Sequence, residues 1–268
     1  MSIATVDDIV TALAGNSDCI DFYKTLPNVP GTGTLRSLWM GGGSPPSGTG
    51  ATPPAYTAGS GYTCSSATAG ALGPLENAGA HLWLAKARIW STGPGWNLRL
   101  YDRLWNCGGM GFTASTYTVT TPGSLPARIT DSGVGVEAWY ENFVASGAAS
   151  GTLTLTYKNV DGTSHTSVIN AISSAPIGTI IPFPLAAGDT GVSQVVSLAN
   201  SATFTSGSFG VSLMKPICDI PITEQWMRDY DWATLGLPPI ENDSCMTFYA
   251  QSTNIQNTVY GRLILIDK

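Results

Sequence analysis

Large apolar and small polar residues alternate with a period of two through much of the second half of the chain. In Thr152-Leu153-Thr154-Leu155-Thr156-Tyr157 the large side chains take one face and the threonines the other, the pattern of a strand with one buried face. Asp161-Gly162 follows as a two-residue turn signal, so Thr163 to Ile169 is predicted to return antiparallel. Val136 to Val144 reads as another strand, with Trp139 and Phe143 beside Glu137 and Glu141. Thr179 to Phe183, Val192 to Leu198, Phe209 to Met214, Met246 to Gln251 and Val259 to Ile266 extend the series. In the last of these Val259, Leu263 and Leu265 oppose Tyr260, Ile264 and Ile266, so both faces are predicted to be covered. Upstream, His81 to Trp90 and Trp96 to Asn106 are apolar runs separated by Ser91-Thr92-Gly93-Pro94-Gly95, which reads as a hairpin connection.

Helical spacing is strong in one place. Val6, Ile9, Val10 and Leu13 form a stripe, Thr5 with Asp8 makes a box-like cap, and Gly15-Asn16 supplies a stop. The stripe must dock either on its own domain or on a neighbouring subunit. A second short helix is predicted from Thr223 to about Tyr230. Residues 41–75, with Gly41-Gly42-Gly43-Ser44-Pro45-Pro46, Pro53-Pro54 and Gly59-Ser60-Gly61, read as a long surface loop or extended arm.

Many short strands with turn signals between them and no intervening helices indicate an all-β fold. A two-sheet sandwich of the jelly-roll kind fits best. The organisation predicted is an N-terminal helix and arm over 1–40, the Gly/Pro/Ser-rich loop over 41–75, and a β-sandwich over 76–268, all within one compact domain.

Composition narrows the function. Charged residues are 11% of the chain, against roughly 25% in an ordinary soluble domain. Few charges and many small polar side chains suit a surface largely covered by neighbours, or a protein outside the cell, better than a free cytosolic enzyme. With 12 Lys and Arg and a net charge of −6, the chain lacks the clustered cations that nucleic-acid phosphates require. The same deficit disfavours a membrane surface. No stretch is apolar enough to span a bilayer, and the N-terminus has no signal-peptide pattern.

Candidate chemistry is sparse. The five cysteines have long irregular gaps and no CxxC or Cys/His spacing, which leaves zinc and thioredoxin-type chemistry unsupported. Buried free thiols are one reading and late disulfide formation another. His81 and His165 have no ligand spacing around them, and no nucleophile elbow, Walker A or dinucleotide fingerprint is present. Glu137 and Glu141 share a strand face at about 13 to 14 Å if fully extended, wider than the roughly 5 to 9.5 Å of a glycosidase pair. Asp229, Asp231, Glu241 and Asp243 lie in or beside turns and read as solvated or capping groups. Neither a catalytic residue nor a metal or other cofactor is expected.

The eight tryptophans are an enrichment. Trp83, Trp90, Trp105 and Trp139 fall inside apolar strands and default to the core, whereas Trp226 and Trp232 are better interface candidates. With the helical stripe, the candidate interface is therefore Val6, Ile9, Val10, Leu13, Trp226 and Trp232.

The segments Asp231-Trp232-Ala233-Thr234-Leu235-Gly236-Leu237-Pro238 and Glu241-Asn242-Asp243-Ser244-Cys245 resemble text found in a group of tailed-bacteriophage structural proteins. So do Ala4-Thr5-Val6-Asp7-Asp8-Ile9-Val10 and Leu100-Tyr101-Asp102-Arg103-Leu104, in matching order over most of the chain. The resemblance implies a virion component made in the host cytoplasm, with a capsid decoration (cement) protein as the expected role. Its implied partners are the major capsid protein and copies of itself, as a trimer or dimer, with no nucleic acid and no membrane. The alternative is a tail- or fibre-associated module that binds host surface glycan through exposed aromatics.

Overall fold

The computed structural model describes residues 3, 5–15, 17–25, 35–48, 61–73, 82–93, 95–111, 115–119, 125–148, 151–171, 173–201, 205–223, 226–252 and 258–267. His81, Pro53-Pro54 and Gly59-Ser60 lie outside them.

The chain opens with helix α1 (Val6–Gly15), β1 (Ser17–Thr25), β2 (Leu35–Ser37), β3 (Gly42–Ser44) and β4 (Gly61–Thr63). The long strands β5 (Leu82–Ser91) and β6 (Trp96–Gly111) come next, then β7 (Ser115–Thr118) and β8 (Glu137–Val144). After these run β9 (Gly151–Asn159), β10 (Ser164–Ala171), β11 (Ile180–Pro182), β12 (Val192–Asn200) and β13 (Ser208–Ile222). The remaining elements are β14 (Arg228–Asp231), α2 (Trp232–Leu235), β15 (Pro239–Ile240), β16 (Met246–Ser252) and β17 (Thr258–Asp267).

The strands form three sheets. The β13 sheet runs β11-β8-β13-β6-β16-β2, with β4 also on β6. The β17 sheet runs β14-β5-β17-β1-β3, with β15 also on β5, and the β9 sheet runs β10-β9-β12-β7. Leu213 stands opposite both Trp105 and Ala138, and Leu100 stands opposite Cys218 and Phe248. Those residues share one face of the β13 sheet, and the other two sheets pack side by side on it. At one end Leu98, Leu100, Ile220 and Phe248 meet Phe22, Leu84, Ile89 and Leu263 of the β17 sheet. At the other Trp105, Tyr140, Phe209 and Leu213 meet Leu153, Leu155, Tyr157 and Leu198 of the β9 sheet. Each fully buried Leu or Phe contributes roughly 1.5–3 kcal/mol. The result is an all-β, jelly-roll-like sandwich with a short N-terminal helix, one of whose layers is divided into two sheets.

Bulges adapt the long strands to this double duty. The β6–β13 register shifts between Leu213 and Met214, so the neighbours Leu104 and Trp105 both enter one core. A regular strand would send them to opposite faces. A further shift follows between Pro216 and Cys218; past Met214, β13 pairs with β6 alone among the described strands, and on such a one-sided stretch Pro216 and Pro221 are tolerated.

Three expectations change. Strands β5 and β6 are not a hairpin: β5 lies in the β17 sheet and β6 in the β13 sheet, because both carry a large apolar face and bury it most fully against each other across the core. The helix predicted over 223–230 is replaced by strand β14, which pairs with β5. Helix α2 starts only after Asp231, whose Oδ1 accepts from Thr234 N at 2.9 Å. Residues 17–25, read as arm, form β1 between β17 and β3.

The described part of 41–75 is packed only in part: Gly42, Gly43, Ser44, Pro46 and Ser47 are exposed, while other residues are buried. Trp39, Cys64 and Ala71 are buried together with Cys245. A Cβ on Gly48 would meet Trp39 at 2.0 Å, and one on Gly61 would meet Trp105 at 2.0 Å. Glycine here allows backbone to lie flat on an indole, a use of Gly that composition alone does not separate from a loop.

Candidate functional site

The polar groups that could have done chemistry are occupied by structural bonds. Arg103 is fully buried; its Nη2 donates to Glu141 Oε2 at 2.6 Å, Asn106 Oδ1 at 2.6 Å and Ser212 Oγ at 2.7 Å. Its guanidinium lies 4.5 Å from the Trp39 ring. Burial, the largest influence, works against the charge, and Glu141 leads the neighbouring groups that together outweigh it, so the Arg103 pKa is raised. Glu137 shares the sheet face with Glu141 but accepts from Tyr101 Oη and Trp139 Nε1, each at 2.9 Å. Asp102 accepts from Arg128 Nε at 2.8 Å, Arg128 Nη2 at 2.9 Å and Cys245 N at 2.9 Å. The two glutamates therefore hold separate parts of the fold together instead of facing a common substrate.

The remaining candidates have similar duties. Asp229 pairs with Arg88 and Lys86, which hold its carboxyl down to about 2. Asp231 caps α2, and Asp243 Oδ1 accepts from Ser66 N and Oγ. His165 Nε2 lies 3.8 Å from Asp189, whose pKa is lowered by hydrogen bonds from Tyr157 and Asn159. None of the five cysteines is in a disulfide: Cys64, Cys107 and Cys245 are buried, Cys218 half-buried and Cys19 exposed. Among the described residues no cluster of three or more His, Cys, Asp or Glu is placed to hold a metal, and no helix is long and apolar enough to cross a membrane.

The β17 sheet turns the opposite face, away from the core, outward. At one end α1 covers it, where Ile9 and Ala12 pack on Ala85 and Ile266 with Leu13, Trp83 and Trp232 around them. The predicted cap is present, with Thr5 N donating to Asp8 Oδ2 at 3.0 Å and Asp8 N to Thr5 Oγ1 at 3.2 Å. Between α1 and α2 an open apolar groove of about 380 Å³ is lined by Ile3, Val6, Ile9, Trp232 and Leu237.

Beyond the helix, the same face carries two cross-strand rows. Tyr23 stands opposite Tyr260, and Tyr260 opposite Trp90. Ring centroids are 6.1 Å apart for Tyr23–Tyr260 and 3.8 Å for Trp90–Tyr260. The adjacent row reads Asp21, Arg262, Arg88, Asp229 across four strands. Arg262 Nε lies 2.6 Å from Asp21 Oδ1, and Arg88 Nε 2.7 Å from Asp229 Oδ1. A groove of about 520 Å³ lies over Tyr260 and Trp90 of the first row and Asp21, Arg262 and Arg88 of the second, with Met227 on its rim.

The six residues singled out from sequence divide. Ile9 is buried and Leu13 half-buried within the chain's own fold, while Val6 and Val10 remain 55% and 58% exposed. Trp226 is 74% exposed, and Trp232 is half-buried against α1. The tryptophan assignment needs one correction. Trp105 and Trp139 are buried as expected, but Trp83 and Trp90 point to the outer face and are only partly covered. Strand alternation places them there: Leu82, Leu84, Ala87 and Ile89 take the core side of β5. The aromatic row was missed because its members are single residues from three distant strands.

No family model and no curated protein matches the chain. Among solved structures, VP2 of infectious bursal disease virus as a subviral particle is 10% identical, with 94% of this chain and 80% of that chain covered and a TM-score of 0.25. A mutant VP2 of the same virus in derived T=1 particles is 9% identical, covers 94% and 78% respectively, and has a TM-score of 0.22. Likeness at that level carries no argument about function.

Proposed function

We propose that this chain is a non-catalytic structural protein of a virus particle. From its sequence resemblance we assign it to a tailed bacteriophage, decorating the capsid shell through protein–protein contacts. The observation that carries the reading is the division of the helical stripe. Ile9 and Leu13 anchor α1 to its own sheet, which leaves Val6, at an apolar groove, and Val10 exposed. Two exposed β-branched residues on a helix already fixed in place offer a preorganised apolar contact, so little ordering entropy is lost on docking. The low charge and the engagement of the buried carboxylates in structural bonds support the same reading.

The mechanism is mass action. A protein that binds the assembled lattice and not free shell subunits stabilises the lattice by its own binding free energy. Copies arranged as a trimer or dimer match a shell symmetry axis. Deleting residues 1–15 would uncover Ile266 and Ala85 and confuse folding with binding, so point variants are the cleaner test. Val6→Asp with Val10→Asp should reduce occupancy on heads roughly tenfold or more while leaving the urea midpoint near that of the parent. Undiminished occupancy with both substitutions would remove α1 from the contact.

A further inference from the structure

We infer that the open groove over Trp90 and Tyr260 is a binding site for a pyranose saccharide. It is separate from the contact proposed for α1 and rests on different residues. Three aromatic side chains from adjacent strands stand in one row on an outward face, with Tyr23 47% exposed. Directly beside them lies the ladder Asp21–Arg262–Arg88–Asp229, its side chains 66%, 47%, 46% and 42% exposed. The groove holds about 520 Å³, within the usual range for small-molecule sites and room for roughly one or two sugar rings.

The chemistry of the two rows selects among occupants. A sugar ring has an apolar C–H face and an edge of hydroxyls, and it needs an aromatic surface next to groups that both donate and accept. The ladder supplies both kinds. Each guanidinium is forked through Nε and Nη2 onto both oxygens of its own carboxylate. A phosphate or sulfate would have to displace Asp21 or Asp229 to reach that fork, so an anion is disfavoured. A protein seated flat here would strip water from four charges whose partners lie in the plane of the sheet, at a cost that their mutual attraction repays poorly. Hydroxyls replace that water in kind: the carboxylates accept, the guanidinium N–H groups donate, and the ring stacks on Trp90 and Tyr260.

The test uses the full chain with a panel of methyl pyranosides (gluco, galacto, manno, rhamno and N-acetylgluco) and their disaccharides. Binding is read by saturation-transfer NMR and by tryptophan fluorescence titration. At least one member is expected to bind with a Kd of about 1 mM or tighter. Trp90→Ala and Arg262→Gln should each weaken it roughly tenfold, and Val6→Asp with Val10→Asp should leave it unchanged. Because Arg262 is on the surface, its variant separates lost binding from lost folding. Absence of binding across the panel overturns the inference, as does binding that survives both Trp90→Ala and Arg262→Gln.

Discussion

Glu141→Leu is expected to be among the most damaging single substitutions in the polar layer of the sandwich. Arg103 and Glu141 are both 0% exposed, so the lost carboxylate cannot be replaced by bulk water. The guanidinium would keep Asn106 and Ser212 as neutral acceptors and the Trp39 ring as a π face. None of these supplies a countercharge. Breaking one side of a buried pair typically costs about 3–5 kcal/mol, whereas replacing both members with apolar residues of similar size is often close to neutral. Arg103→Met combined with Glu141→Leu should therefore recover most of the loss, to within roughly 2 kcal/mol of the parent. Urea unfolding at pH 7, extrapolated to water for the parent, both single variants and the double variant, gives the coupling directly. A loss below about 1 kcal/mol for Glu141→Leu, or a double variant no better than that single one, would refute the assignment of Arg103 as a charge held by Glu141.

Alkaline pH should unfold the chain through its buried tyrosines. Burial raises the pKa of Tyr140 and of Tyr249 above the ordinary value of 10, so their contribution is complete below pH 10 and is lost as pH rises beyond it. Urea midpoints should fall between pH 10 and 11.5, and less steeply for Tyr140→Phe. Lys24 acts in the opposite sense. Burial lowers its amine from 10.5 to about 8 while it donates to Gly41 O and Pro46 O, so its share of stability rises as pH climbs from 8 to 10.5. Lys24→Met should abolish that rise in the same titration. Asp102→Asn should leave Arg128, 8% exposed, without its carboxylate and cost about 3 kcal/mol. Trypsin should then cut after Arg128 faster than in the parent, and unchanged cleavage would count against Asp102 as the anchor of that segment.

What the sequence disclosed was local. Leu153, Leu155 and Tyr157 announced their strand by alternation, Asp161-Gly162 its turn, and Thr5 with Asp8 the cap of α1. Each of these is decided within a few residues. What stayed hidden was which strands pair and which merely face each other. The turn Ser91–Gly95 looks the same whether it joins a hairpin or carries the chain from one layer to the next. The difference rests on Gly95 N bonding Ile222 O and Thr92 N bonding Thr258 O, more than 100 residues away. The run through Pro216 was hidden because a proline argues against a strand, and it is tolerated here where β13 pairs with β6 alone among the described strands. The helical spacing of Val6, Ile9, Val10 and Leu13 was legible, and α1 spans Val6–Gly15. Its division between buried and exposed residues depended on Ala85 and Ile266, which lie far along the chain.

Mixing the purified chain with phage heads that lack it, then measuring bound copies by cosedimentation, tests the proposed role most directly. The account predicts saturable binding at a fixed ratio to the shell subunit, sharply reduced by Val6→Asp with Val10→Asp. Heads that bind no copies at saturating protein would contradict it.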